Sequence, residues 1–412
     1  MSLSVFAVEI DKAHFAASSQ EHSNEKWAKA LSLGHRQDVT FCLCNGRVPL
    51  SIKLYGKDTG NSHYGLARWP DTGLDHDPLC QYFGENTKDG DGGDTLPAFH
   101  KMDDGLLRVH LAVSLNPADT VVIDPDTSKP KARAPGRTRQ RAGEITVLSR
   151  LWREAGLNVY FGKPRGWFRA SYAILNTAAS MVVSKGGTSL ADVLLVGTQD
   201  DDKMALAHNA TALAAANTKK SRLFVIGRLR KPDWSKPKQL LPLLDFKELP
   251  KVMVDTVIIE RFMKNRPFLH NLVADRSGNV VVFACIESTG GEWWKVISIT
   301  GIPTSKNMVP LESGFELEFD QYLVSHSRKF IKPMVLGEIE QDELRPDFIL
   351  LDTRPRLRCE VWGMQTEDYR ASKAKRIEAY VRKGQSLLSW SANPREPFPV
   401  LPPALSSSQE PR

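Results

Sequence analysis

Two neighbouring apolar segments near the C-terminus each carry one acidic residue, and they constrain the fold more than any other part of the sequence. Asp347 directly precedes the apolar residues 348–351, which end at a turn over residues 352–355, so this segment predicts a buried strand. Residues 357–362, which contain Glu360, predict its partner. The short connection favours an antiparallel hairpin, which brings Asp347 and Glu360 close together if they share a face.

A lysine on the following segment would complete a site for phosphate chemistry. Residues 366–383 predict a helix on which Lys373 lies four positions after Tyr369, on the stripe that faces the sheet. A pair of carboxylates suits Mg²⁺ or Mn²⁺, which can activate a water molecule and stabilise charge on a phosphate. The pattern therefore predicts a metal-dependent nuclease with Asp347 and Glu360 as metal ligands and Lys373 at the phosphate.

These residues resemble the PD-(D/E)xK nuclease superfamily. The resemblance implies a restriction-endonuclease-like α/β core at residues 311–392, with a helix at 314–330, a strand at 331–339, the two motif strands, the basic helix and a final strand at 386–390. It also implies a further metal ligand on the first helix, for which we choose Glu316. The alternatives to that choice are Glu318, Asp320, Glu338 and Glu340.

The sequence departs from the superfamily at one position. The family lysine normally stands two residues after the second acid, where this chain has Trp362. The resemblance implies Lys373 only through members whose lysine has moved to the following helix. One alternative is a non-catalytic nucleic-acid-binding or assembly protein that keeps the fold. Another is a plain hairpin whose acids pair with neighbouring arginines, namely Arg345, Arg358 and Arg376.

Three of the five cysteines lie in one N-terminal segment with a histidine. Cys42 and Cys44 are followed, after a long loop, by His76 and Cys80. Three thiolates and one imidazole form a tetrahedral zinc set, and a closed set of four protein ligands is structural rather than catalytic. His63 is the rival fourth ligand. The sequence therefore predicts an N-terminal zinc-binding domain over residues 1–123.

A short segment between two predicted domains concentrates positive charge. The formal net charge of the chain is +7, which favours a polyanionic partner such as DNA. Residues 124–143 are rich in Pro, Ala, Gly and Thr and predict a flexible linker that either tracks a phosphate backbone or simply connects two domains. Its basic residues are Lys129, Lys131, Arg133, Arg137, Arg139 and Arg141.

The remaining sequence predicts a multidomain α+β protein of 412 residues. Residues 144–310 form a central α+β region, in which segments 280–287 and 293–300 flank a glycine-containing turn and predict a hairpin. The Pro- and Ser-rich tail at 393–412 is expected to be disordered. The sequence predicts no membrane span, and an odd number of cysteines without a secretory signal favours the cytoplasm.

The two ends of the chain together resemble an uncharacterised bacterial family, domain of unknown function 1173, which is marked by three N-terminal cysteines. This resemblance covers most of the chain and implies no activity.

Overall fold

The computed structural model shows two compact units, Met1–Gly90 with Leu405–Arg412 and Asp91–Ala404. The residues that it describes are 6–20, 24–35, 40–55, 63–68, 72, 76–77, 80, 82, 98–102, 106–117, 141–184, 186–198, 202–245, 247, 250–264, 266–334, 345–364, 366–382 and 384–405.

The first unit is built on a five-stranded sheet. Its elements are β1 (Val8–Ile10), β2 (Ala13–Phe15), α1 (Glu25–Gly34), β3 (Thr40–Cys42), β4 (Val48–Tyr55) and β5 (His63–Arg68). The strands lie in the order β2-β1-β3-β4-β5, and every neighbouring pair is antiparallel. Asn24 caps the N-terminus of helix α1, because its side chain accepts hydrogen bonds from the backbone N–H of Lys26 and of Trp27. It packs Trp27 and Leu31 on the sheet, and β3 carries the first cysteine of the predicted zinc set.

The second unit begins with a small three-stranded sheet and two helices. The elements are β6 (Phe99–Lys101), β7 (Leu107–Val109), α2 (Glu144–Glu154), β8 (Val159–Tyr160), α3 (Trp167–Ala179) and β9 (Met181–Val182). Strand β7 pairs with β6 and with β9, and so joins residues on both sides of the predicted linker. Trp152 of α2 donates a hydrogen bond to the carbonyl oxygen of Met308, at 3.0 Å, which fixes this helix against the later part of the chain.

A six-stranded mixed sheet forms the centre of this unit. Its elements are β10 (Leu194–Val196), α4 (Lys203–Lys219), β11 (Leu223–Arg228), β12 (Lys238–Leu240), β13 (Lys251–Asp255), α5 (Thr256–Met263), α6 (Pro267–Asp275), β14 (Asn279–Gly290) and β15 (Trp293–Thr304). The order is β10-β11-β14-β15-β13-β12. The predicted hairpin is confirmed as β14 and β15, which pair antiparallel. The first eight residues of β14 are buried, so this strand lies in the core.

The C-terminal sheet contains the two motif strands. Its elements are α7 (Gly314–Ser325), β16 (Phe330–Ile331), β17 (Phe348–Leu350), β18 (Arg358–Trp362), α8 (Glu367–Arg382) and β19 (Leu387–Ser391). The order is β19-β18-β17-β16-β8. Strands β16, β17 and β18 are antiparallel neighbours, and β19 runs parallel to β18. The predicted antiparallel hairpin is therefore confirmed, with Phe348 opposite Cys359.

Two details of this sheet differ from the sequence prediction. The first strand covers Phe330–Ile331 instead of residues 331–339, because Pro333 follows closely and removes a backbone donor; residues 335–344, including Glu338 and Glu340, lie outside the described part. A fifth strand, β8, pairs with β16, so the sheet includes a segment from far outside residues 311–392.

The prediction that the chain becomes disordered at residue 393 is wrong for its first part. The Phe398 ring stacks on Tyr322 with centroids 4.3 Å apart and lies 4.5 Å from the Trp390 ring. The Tyr322 hydroxyl donates a hydrogen bond to the carbonyl oxygen of Pro399. Aromatic burial therefore holds this Pro-rich segment on the sheet, while residues 406–412 lie outside the described part. Among the helices described, none is long and apolar enough to cross a membrane.

Candidate functional site

The first turn of helix α7 fixes an acidic side chain under the C-terminal sheet. The Ser313 hydroxyl accepts a hydrogen bond from the backbone N–H of Glu316, at 3.1 Å. The Glu316 carboxylate in turn accepts one from the backbone N–H of Glu312, at 2.9 Å. Ser313 thus caps the first turn of the helix, and the Glu316 side chain binds the backbone just before it. Glu316, the metal ligand chosen from the sequence, is consequently buried and held in one orientation.

Lys332, which the sequence analysis did not select, is fully buried against this acid. Its ammonium group lies 2.9 Å from the Glu316 carboxylate and 3.6 Å from the Asp347 carboxylate. The backbone of Lys332 is fixed by Asn158, which donates to its carbonyl oxygen and accepts from its N–H. A lysine directly after the apolar Phe330–Ile331 strand was the available sequence signal, because a buried ammonium group needs an anionic partner.

Asp347 and Glu360, the two predicted motif acids, lie at neighbouring positions of the hairpin. The Asp347 carboxylate accepts a hydrogen bond from the backbone N–H of Val361, at 2.7 Å. Glu360 is buried and pairs with Arg376 on α8, and it accepts a hydrogen bond from the Tyr380 hydroxyl at 2.8 Å. The structure thus brings the two acids together, but gives each a different cation.

Lys373 lies on α8, on the side of the helix that faces the sheet. Its ammonium group is 3.3 Å from the Ser391 hydroxyl and 5.1 Å from the centre of the Trp362 ring. Among the described lysines, Lys332 lies 3.6 Å from the Asp347 carboxylate. The predicted role of Lys373 at the phosphate stays a prediction.

The remaining candidate acids of helix α7 differ in their surroundings. Glu318 forms an ion pair with Arg395 at 2.8 Å. Asp320 lies one turn after Glu316 and is buried, and its Oδ1 makes no hydrogen bond to the described residues. Burial raises the pKa of Asp320 to about 7. This carboxyl is thus a second buried acid beside Glu316.

Burial and mutual repulsion shift the titration of the clustered acids. Burial raises the pKa of Glu316 to about 7, against the attraction of Lys332. Burial and the charge of Asp347 raise the pKa of Glu360 to about 7, although Arg376 opposes the shift. The pKa of Lys332 is raised because the surrounding carboxylates outweigh the cost of burying its charge. Perturbed acids of this kind cluster at functional sites.

The predicted zinc set is confirmed as a compact cluster. The ligand atoms of Cys42, Cys44, His76 and Cys80 all lie within 4.8 Å of one another, and all four residues are buried. Their separations are 3.6 Å between the sulfurs of Cys42 and Cys80, and 3.3 Å between the sulfur of Cys44 and Nδ1 of His76. Four ligands about 2.3 Å from a zinc ion in a tetrahedron lie roughly 3.8 Å apart. The cluster could therefore bind zinc.

Backbone donors support the thiolate form of this cluster. The N–H of Asp77 donates to the sulfur of Cys44, at 3.2 Å, and that of Tyr82 donates to the sulfur of Cys80, at 3.5 Å. Donors of this kind stabilise metal-bound thiolates and orient them. The rival ligand His63 lies in β5, and its side chain is outside the described part. Cys285 and Cys359 are buried in strands elsewhere, away from this cluster.

The predicted DNA-binding linker is almost entirely outside the described residues. Of its basic residues, only Arg141 is described, and it is exposed. The others are Lys129, Lys131, Arg133, Arg137 and Arg139, for which binding of nucleic acid stays a prediction.

The structure is therefore that of a mixed α+β protein whose N-terminal Cys₃His cluster could hold a metal ion. The chain belongs to the family described as "Protein of unknown function (DUF1173)", whose model matches residues 14–392. The resemblance to this uncharacterised family, which the sequence indicated for most of the chain, is thus confirmed over residues 14–392. Neither the curated proteins nor the solved structures contain a match to it.

Proposed function

We propose that the C-terminal sheet carries a metal-dependent nuclease site for DNA in which Lys332 takes the role first assigned to Lys373. The observation that carries this proposal is the enclosed Lys332 ammonium group between Glu316 and Asp347. The helix, three antiparallel strands, helix and parallel strand also follow the order of a restriction-endonuclease-like core. A cytoplasmic location agrees with a cluster of reduced cysteines.

The donor atoms of this site suit a hard divalent cation. Glu316 and Asp347 would hold Mg²⁺ or Mn²⁺ through carboxylate oxygens, the ligands that these ions prefer. The bound metal would supply an activated water and stabilise charge on the phosphate. Lys332 would neutralise a phosphate oxygen from a position fixed by Asn158. Glu360 would join the metal ligands if it exchanged Arg376 for the ion.

A second candidate is supported by the partners of Glu360. This acid is occupied by Arg376 and Tyr380. Within the described residues, the Cys₃His cluster is the one group of three or more potential ligand atoms that lie within 4.8 Å of one another. A sheet whose acids are neutralised by ion pairs can bind DNA without cleaving it. The alternative function is therefore non-catalytic binding or assembly on nucleic acid.

Cleavage of a mixed DNA panel distinguishes the two candidates. Linear, nicked, branched and single-stranded DNA would be incubated with the full chain and Mg²⁺ or Mn²⁺. We expect metal-dependent cleavage that falls by about 100-fold or more in Asp347→Asn and in Lys332→Met, because removal of a group that stabilises the transition state costs this much. Lys373→Met is the matched control and should stay within a few-fold of the unchanged protein.

The opposite outcomes are equally informative. Loss of cleavage in Lys373→Met but not in Lys332→Met would return the role to Lys373. If the folded protein binds DNA in the presence of either metal but cleaves none of the substrates, the non-catalytic binding function would be favoured over the nuclease. Thermal melting of each variant checks that a loss of activity is not a loss of the fold.

A further inference from the structure

A cavity of about 640 Å³ opens beside the proposed phosphate site. It lies within the second unit, between the N-terminal ends of α6 and α7, strand β15 and helix α2. Its volume falls in the range of pockets that hold small ligands, roughly 300–1,000 Å³. Lys332 is part of its lining, so the cavity and the acid cluster share one residue.

Most of the cavity wall is apolar and one part of it is aromatic. The apolar lining includes Pro267, Phe268, Ile302, Pro303, Leu311 and Met334. Ile302, Leu311 and Met334 also belong to the main hydrophobic core, so this wall is rigid, whereas the Phe268 ring is only partly buried. A flat aromatic ligand, such as a nucleobase, can stack on such a ring.

The polar end of the cavity offers a buried cation and the start of a helix. Lys332 is 2% exposed, and residues 313–315 of the α7 N-terminus line the same end. Exposed Arg266 also lines the cavity, as do Glu312 and Glu318, which form ion pairs with Arg345 and Arg395. Helix N-termini and ammonium groups both attract phosphate. A ligand with a flat apolar part and an adjoining anionic part matches this lining.

We propose that this cavity receives a nucleobase of the DNA strand while the adjoining phosphate lies at Lys332. The inference rests on the proposed function, because it assigns to the same lysine a phosphate of the bound strand. It adds a substrate feature: the protein would recognise a base that has left the stack, next to the phosphate at the acid cluster. Base extrusion is least costly in single-stranded or mismatched DNA, so such DNA is the expected ligand.

Nucleotide binding without metal tests this inference separately from cleavage. Deoxynucleoside 5′-monophosphates, the matching deoxynucleosides and inorganic phosphate would be titrated into the full chain by calorimetry. We expect the monophosphates to bind at least tenfold more tightly than either part alone, because only they engage both the apolar wall and Lys332.

A cavity-filling variant locates the binding. A Cβ at Gly314 would lie 3.6 Å from the Phe268 ring, an ordinary contact, so Gly314→Leu places bulk in the cavity without a clash at that atom. Gly166→Leu is the matched control, since it also lies at a helix start and faces open space. We expect Gly314→Leu to weaken monophosphate binding by at least tenfold and Gly166→Leu to leave it unchanged.

Three results would overturn the inference. The first is a folded protein that cleaves DNA but binds no monophosphate, which would leave the nuclease proposal standing. The second is equal binding by the unchanged protein and Gly314→Leu, and the third is equal affinity for nucleosides and their monophosphates. Monophosphate binding that is lost in Gly314→Leu, in a protein that cleaves nothing, would support the inference and assign it to the non-catalytic candidate.

Discussion

Lys332 and Glu316 form an ion pair 2.9 Å long in which both side chains are almost completely enclosed, with exposed fractions of 2% and 6%. Two charges removed from water stabilise a fold only through each other and through further partners. Here the second partner is Asp347, 3.6 Å from the ammonium group. The pair therefore links helix α7 to the strand hairpin as well as supplying the charge of the proposed site.

Removal of one member of this pair should cost more than removal of both. Lys332→Met leaves Glu316 buried without its closest cation, and we expect a loss of about 3–5 kcal/mol in the free energy of unfolding at pH 8. The double variant Lys332→Met with Glu316→Leu should recover much of it. The loss in the single variant should shrink at pH 5, where Glu316 can protonate. Urea unfolding at both pH values measures this, and equal losses in the single and double variants would contradict it.

The Cys₃His cluster should hold one zinc ion per chain. Cys80→Ser should lower the zinc content and the melting temperature of the first unit, because metal binding to a preformed site stabilises the folded state. Cys285→Ala removes a buried thiol outside the cluster and serves as the control. Metal analysis by mass spectrometry checks the zinc content, and a folded first unit with no zinc in the unchanged protein would refute the assignment.

The buried acid Asp320 should make stability fall as the pH rises. Burial, together with the charge of neighbouring Glu316, raises its pKa from the ordinary value of 3.8 to about 7. The folded state therefore holds the proton more tightly than the unfolded state. The stabilisation is fully present below about pH 4 and is lost as the pH rises through 7.

Asp320→Asn should flatten this part of the stability profile. The variant should remove at most on the order of 4 kcal/mol of the change in unfolding free energy with pH, since each pKa unit corresponds to about 1.4 kcal/mol. Denaturant unfolding from pH 4 to pH 8 measures it, with Glu318→Gln on the same helix as the control. A variant whose stability follows the unchanged profile would show that Asp320 does not titrate in this range.

The hairpin with Asp347 and Glu360 was predictable because its signal is local. Apolar runs separated by one short turn define two adjacent strands, whatever the rest of the chain does. The zinc set was predictable for a different reason: cysteine is rare in this chain, so its clustering stands out despite the long loop before His76.

Lys332 was not predicted because its partners lie in other elements. Glu316 lies in helix α7, whereas Lys332 directly follows strand β16. No rule of helical or strand spacing relates these two positions. Helical spacing instead predicted Lys373, which does face the sheet but contacts Ser391 and Trp362. The packing of the helices and strands decides which buried cation pairs with which acid, and local sequence patterns do not encode this packing.

The position of strand β8 in the sequence affects the order in which the protein can fold during synthesis. Asn158, next to β8, holds the backbone of Lys332 from 174 positions away. During synthesis the earlier segment leaves the ribosome long before its partner strand exists. Strand β8 has no partner strand β16 until the whole central sheet has been translated. Contacts between residues so far apart in the sequence form slowly. The proposed nuclease site can therefore be completed only after Lys332 and Asp347 have been synthesised, long after β8.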